Sequence, residues 1–325
     1  MTYSVGGLID NADYNTFQNN LNGVWNTGSG DIGWGQTALA TVNVNTVVTA
    51  TTWATLVNTL ATAGSQTTTT LTSRTAPVTG NVIAILANVA TDITSVTTRR
   101  GFATSSGTTS STWTGSTAKT TSTGSGTSAW AITWTQTVTF PSAAQARYFW
   151  NAGGLVRLDM SKSSTGNDID ADWNTFVGTV GTLYLSGRVN NANQTIAGTS
   201  YTGFTRVGGS GSPYVNTNAG WYTIVPGAFV ATNLFQIKST VYPYTADTIT
   251  VVGRVNAGST VLTLSTIWSQ SVQSYSTVIS GGTNTASPFT SFGTAPAVLC
   301  RFVPPSTAQG LSNTWGTPTV ASSVV

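Results

Sequence analysis

From residue 129 to residue 140 the chain reads AWAITWTQTVTF, and apolar positions alternate with threonine. Trp130, Ile132, Trp134, Val138 and Phe140 face one way, and Ala131, Thr133, Thr135, Thr137 and Thr139 the other. This period of two predicts a β-strand with one buried face and one threonine face, ended by Pro141. Further extended segments are predicted at LVRLDMS, GWYTIVP, NLFQIKSTVY, DTITVVGRV, STVLTLSTIW and QSYSTVIS, punctuated by PG, NAG and SGG turns. Ahead of them, SAAQARYFWNAGG reads as a helical turn closed by Gly153. Many short strands between turn signals predict a mainly β chain: antiparallel sandwich or barrel-like domains with a small helical N-terminal region.

The helical period appears in two near-repeats, ADYNTFQNNLNGVWNTG at 12–28 and ADWNTFVGTVGTLYLSG at 171–187. Phe17, Leu21, Val24 and Trp25 fall at i, i+4, i+7 and i+8, as do Phe176, Val180, Leu183 and Tyr184. Asp13 and Asp172 stand where an N-cap carboxylate accepts free backbone N–H groups, and Gly28 and Gly187 where a helix can stop. Each copy therefore reads as a short docking helix with a buried Phe. Gly178 and Gly181 leave a turn and a strand open as the alternative for the second copy. Trp53, Leu56, Val57 and Leu60 form another helix face, ending at Gly64. Val82, Leu86, Val89, Ile93 and Val96 follow at heptad-like spacing, which suits either a helix packed on its predecessor or a self-associating stalk.

Residues 103–128 are dominated by Ser, Thr and Gly and read as a linker or a long exposed loop. They divide the chain into an N-terminal attachment region, 1–102, with short helices, and a β-rich region, 129–325, in which a further split near 190–245 stays open.

Composition narrows the function classes. Only 6% of the 325 residues are charged, against about 25% in ordinary globular proteins. All nine acids are Asp, and neither Glu nor His occurs. With 39% hydrophobic residues and 11 Trp, the chain can still build a core. The net charge of +3 includes one basic pair, Arg99 and Arg100, far short of the cationic stripe that nucleic acid requires. No nucleic-acid partner is expected. No apolar run approaches the ~20 residues of a membrane span, so no membrane insertion is expected either. The start, MTYSVGGLIDNADYN, lacks the basic and apolar parts of a secretory signal, which predicts synthesis in the cytoplasm. Cys300, alone in the apolar run APAVLCRF, reads as a small buried residue, with no His to activate it.

Three constellations bear on chemistry. Gly28, Gly30 and Gly33 match G-x-G-x-x-G, but no strand pattern precedes them, and Thr51, Thr52 and Trp53 stand where the ribose-binding acid belongs. The dinucleotide reading fails. Asp168, Asp170 and Asp172 alternate as cation ligands can, yet Trp173 and Thr179 occupy the EF-hand Gly and Glu positions. A different cation loop and a solvated turn both remain open there. Paired catalytic carboxylates need two acids about a cleft, and no pair is singled out. No catalytic, cofactor-binding or metal residue is assigned, and the chain is read as non-enzymatic. Trp25, Trp34, Trp113, Trp221 and Trp268 are the rings left for a sugar platform, Trp130 and Trp134 being core by their period.

YSVGGLIDNADYNTF and VWNTGSGDIGWGQ near the start, SRTAPVTG at 73–80, ARYFWNAGG at 146–154 and LSNTWGTPTV at 311–320 resemble virion structural proteins of tailed bacteriophages, cyanophages especially. The resemblance implies a particle component, a tail fibre, baseplate or neck appendage that serves assembly and host attachment and resides in the virion. It brings no catalytic residues. Its alternatives are a capsid decoration protein and a β-rich carbohydrate-binding module. The expected partners are further copies of the chain, other virion proteins and a host-surface glycan, with a trimer implied for a fibre. Threonine ladders and aromatic pairs suit such a part. With no His, stability is expected to be insensitive to pH across the neutral range.

Overall fold

Trp130, Ile132, Trp134, Gln136 and Val138 are buried along one face of the strand Trp130–Thr139, and the residues between them are partly exposed. The computed structural model describes residues 11–28, 32–79, 88–103, 116–118, 130–164, 168–187, 194–196, 199–201, 203–228, 231–240, 245–270, 276–279, 282–285 and 292–325. Strands are numbered along the chain. One antiparallel sheet of six runs β15 (Thr319–Val324), β2 (Trp130–Thr139), β11 (Val261–Gln270), β10 (Thr248–Val255), β9 (Thr232–Lys238) and β8 (Pro213–Asn216). A second antiparallel sheet of five runs β1 (Ser116–Ala118), β14 (Ala297–Val303), β3 (Leu155–Ser161), β4 (Thr182–Leu185) and β7 (Phe204–Val207). Two hairpins stand apart, β5 (Gln194–Ile196) with β6 (Thr199–Tyr201), and β12 (Ser276–Ile279) with β13 (Gly282–Thr285).

Neither sheet closes on itself, so the architecture is a sandwich rather than a barrel. Leu262, Leu264 and Trp268 of β11 join Val298, Cys300 and Phe302 of β14 in a shared core. Gln136 is the polar exception on the inner face of β2, and its Nε2 donates across the core to Val298 O at 3.2 Å. A buried amide needs such a partner to offset its lost water.

Helices close the two ends. α4 (Ala143–Asn151) begins at Ser142, whose Oγ accepts from Gln145 N at 3.1 Å, the expected cap geometry. It sets Phe149 and Trp150 against Phe140 and Trp221. α5 (Asp168–Gly178) leads into β4. Because β3 runs between α4 and α5, the two helices lie at opposite ends of the sandwich. α1 (Asn11–Trp25), α2 (Ala50–Gln66) and α3 (Val89–Arg99) pack on one another, and they join the end of α4 where Asn151 Nδ2 donates to Gly33 O and Gln66 Nε2 to Ala152 O, both at 2.9 Å. Their buried side chains belong to the same core as the sandwich. The 103–128 stretch lies mostly outside the described residues; within it β1 forms an edge of the five-stranded sheet. Of the 190–245 region, β7 joins one sheet and β8 and β9 the other.

Several local expectations are corrected. GWYTIVP contains a 3₁₀ turn, Trp221–Thr223, instead of a strand, since Thr223 Oγ1 accepts from Gly220 N at 2.8 Å and holds the chain in a local loop. The heptad-spaced run is not one helix: Asn88 is left-handed, with φ of 65°, so α3 starts at Val89. Val89, Ile93 and Val96 are buried inside the chain, which removes them from any stalk seam; Val82 and Leu86 lie outside the described residues. Asp13 falls in the first turn of α1 and Asp172 inside α5, so neither is the cap. Phe17 and Phe176 are both buried, as expected.

Candidate functional site

α5 and the ends of the strands around it gather most of the groups that bear on chemistry. Trp173 on α5 stacks on Trp268 of β11, with ring centroids 5.5 Å apart and planes 8° from parallel, and meets Trp130 of β2 at 5.3 Å. The helix thus plugs the open end of the sandwich with an indole. Behind it, Lys162 just past β3 and Asp170 of α5 form an ion pair of 2.8 Å with both side chains fully buried. Lys162 Nζ also donates to Ser163 O and to Thr294 Oγ1, each at 2.6 Å. Phe292 presents its ring 5.0 Å from the same ammonium. A buried ion pair with its remaining donors satisfied ties β3, α5 and the segment before β14 together.

That geometry decides the Asp168, Asp170 and Asp172 reading. The three alternate along a helix, not along a loop. Asp170 and Asp172, two apart on the helix, point to different sides, so their carboxylates do not converge on one ion, and the Asp168 side chain lies outside the described part of the chain. Asp170 is held by Lys162. Among the described residues no cluster of three acid or thiol ligands forms.

Asp172 instead faces Asp247, in the turn before β10. Asp247 is buried, and its Oδ1 finds no donor among the described residues. Burial, and then the Asp172 carboxylate, push its pKa up to about 8. One carboxyl held neutral beside another is a pattern shared with general acid–base pairs. Here the neutral member is enclosed. The grooves of about 310, 340 and 460 Å³ lie elsewhere, and no acid appears among their described lining residues. Asp247 bears on the expected pH insensitivity, since its burial beside Asp172 raises a carboxyl toward the neutral range without any His.

The other singled-out residues are structural. Trp34, Trp221 and Trp268 are buried, so they offer no open sugar platform; Trp25 is half-buried and donates from Nε1 to Thr37 O at 3.0 Å. Trp113 lies outside the described residues. Cys300 is fully enclosed, and burial with the nearby Asp159 raises its thiol to about 12, far from thiolate reactivity. Gly28, with φ of 61°, and Gly33 make a tight return in which Trp34 N donates to Val24 O at 2.8 Å. A Cβ on Gly33 would lie 2.2 Å from the Thr27 carbonyl. Gly28 and Gly33 therefore serve a close backbone crossing, and Gly30 lies outside the described residues.

Sequence reasoning missed one surface. The outward residues of β15, β2, β11 and β10 are Thr, Ser, Ala, Val and Ile, with Arg254 as the one charge. Register aligns them in rows across the strands, such as Ser323–Thr135–Ser265–Val252. Only the threonine of β2 was legible beforehand, because the rows depend on which strands become neighbours. No protein-family model matches the chain, no curated protein matches it, and no solved structure matches it.

Proposed function

We propose that this chain is a non-enzymatic structural protein of a tailed-phage particle, a component of a tail fibre, baseplate or neck appendage. It serves assembly and host attachment in company with other virion proteins. The observation that carries the reading is the broad neutral sheet face, which suits permanent packing against another protein without desolvating charges. The engagement of Asp170 with Lys162 and of Asp92 with Arg74 supports it, since these acids brace the fold.

Immunogold electron microscopy of purified particles, with antibody against this chain, tests the proposal. Label on tails or their appendages is the expected result. Label over the head favours a decoration protein, and unlabelled particles overturn the reading.

A further inference from the structure

We infer that the outer face of β15, β2, β11 and β10 packs against the same face of a second copy of this chain. The inference follows from the sheet face alone and does not rest on the particle reading. Three features commit it to a second copy.

The first is charge. Across four adjacent strands the outward positions carry one ionisable side chain, Arg254, near the end of β10. A strongly charged partner would lose water from its charges on this face and gain no counter-charge. A copy of the same face brings none to the centre, so neither partner desolvates a charge there.

The second is area. Ten-residue strands β2 and β11, flanked by β15 and β10, cover roughly 500–600 Å² in plan from ~3.3 Å rise and ~4.8 Å spacing. Over two copies this is about 1,000–1,200 Å² in all, at the lower bound for a specific interface.

The third is the chemistry of the rows. Thr133, Thr135 and Thr137 on β2 and Thr263 and Ser265 on β11 stand partly exposed, each hydroxyl able to donate or accept. Neighbours on the face already pair in this way, Thr248 Oγ1 with Ser269 Oγ at 2.7 Å. Methyl groups of Thr, with Val252, Val261 and Ile267, supply the apolar part. Two such sheets stack at about 10 Å, as the two sheets within a sandwich do. Packing a face on its own copy is isologous and makes a two-fold dimer, which departs from the three-fold symmetry of a fibre.

Sedimentation velocity of the whole chain between about 1 and about 100 µM, with wild type and Thr135→Arg, tests the inference. A wild-type dimer, weakened at least about tenfold by Thr135→Arg, is expected, because the variant buries an unpaired guanidinium at the centre of the face. Thr94→Arg, on the exposed side of α3, should leave association unchanged. A wild-type monomer throughout, or an oligomer that Thr94→Arg breaks and Thr135→Arg spares, overturns the inference. Thr135→Cys, nearly isosteric and with Cys300 enclosed, guards against misfolding of the arginine variant. Its maleimide labelling should slow at least about fivefold from low to high concentration as the dimer fills. A rate independent of concentration overturns the pairing.

Discussion

The outer face of the five-stranded sheet carries Arg157, Asp159, Arg301 and Tyr184, whereas on the outer face of the six-stranded sheet β15, β2, β11 and β10 carry rows of threonine and serine, with Arg254 and the Lys238 of β9 toward one side. On the first face, Arg157 stands directly opposite Arg301, a like-charge pairing that costs stability. Asp159 offsets it: its Oδ1 accepts from Arg157 Nε at 3.0 Å, from Arg157 Nη2 at 2.8 Å and from Thr182 Oγ1 at 3.1 Å. The Arg157 guanidinium lies 5.8 Å from the Tyr184 ring. Beside these charges, Leu155 and Val303 are buried in a small cluster of their own. This face is bonded internally and stabilises the monomer. The neutral face has few bonds of this kind, and its chemistry is suited to a partner. A chain with so few charges thus concentrates them where they brace the fold.

The comparison breaks most severely at the Lys162–Asp170 pair, which anchors the five-stranded sheet to α5. Lys162→Met should destabilise by about 3–5 kcal/mol, because Asp170 is left as an uncompensated buried charge. The double variant Lys162→Met with Asp170→Leu should recover most of that loss, as read by urea melts. Recovery of less than about a third would show that the surrounding hydrogen bonds, not the charges, hold this end.

Next in size is pH dependence. The folded pKa of Asp247 lies above its ordinary value, so the folded state holds an extra proton between about pH 4 and pH 8. Stability is therefore highest at the acid end of that window and falls as pH rises through it. From pH 6 to pH 9 the loss should be about 2–3 kcal/mol, and Asp247→Asn should flatten it. Equal slopes in wild type and variant would place the titration elsewhere.

Smaller effects separate the two faces directly. Arg157→Ala should cost about 1 kcal/mol, for its side chain is 28% exposed and its bond to Asp159 is partly screened. Thr263→Val, on the neutral face, should change the stability of the monomer by less than about 0.5 kcal/mol. Chemical denaturation below the association range compares them. A larger cost at Thr263 than at Arg157 would reverse the roles assigned to the two faces.

How much of this was legible varies by element. β2, α2 and α4 were, because each carries its period and its stop signal within a dozen or so residues: alternating Trp and Thr before Pro141, a Trp53–Leu60 face, Ser142 and Gly153 about FWN. The two Phe-centred repeats were correctly read as burying Phe17 and Phe176, yet Asp13 and Asp172 were misplaced by two to four residues from the true helix starts. β14 was legible only as an apolar run, since its outward Ala297 and Leu299 are as apolar as the buried Val298 and Cys300 and hide the alternation.

By itself, the sequence determined a β-rich fold with an aromatic and aliphatic core, threonine on the other face of its clearest strand, scarce charge and an enclosed Cys300. Those properties follow from local period and composition, which act within a few residues. Tertiary structure alone decided that Lys162 meets Asp170, that Asp172 meets Asp247 and that threonines from four strands form one neutral face. Lys162 and Asp170 are only eight residues apart but lie on different elements, and the other groupings join residues far apart in the chain. They depend on strand order and register, which are set by how the whole core closes and not by any single segment.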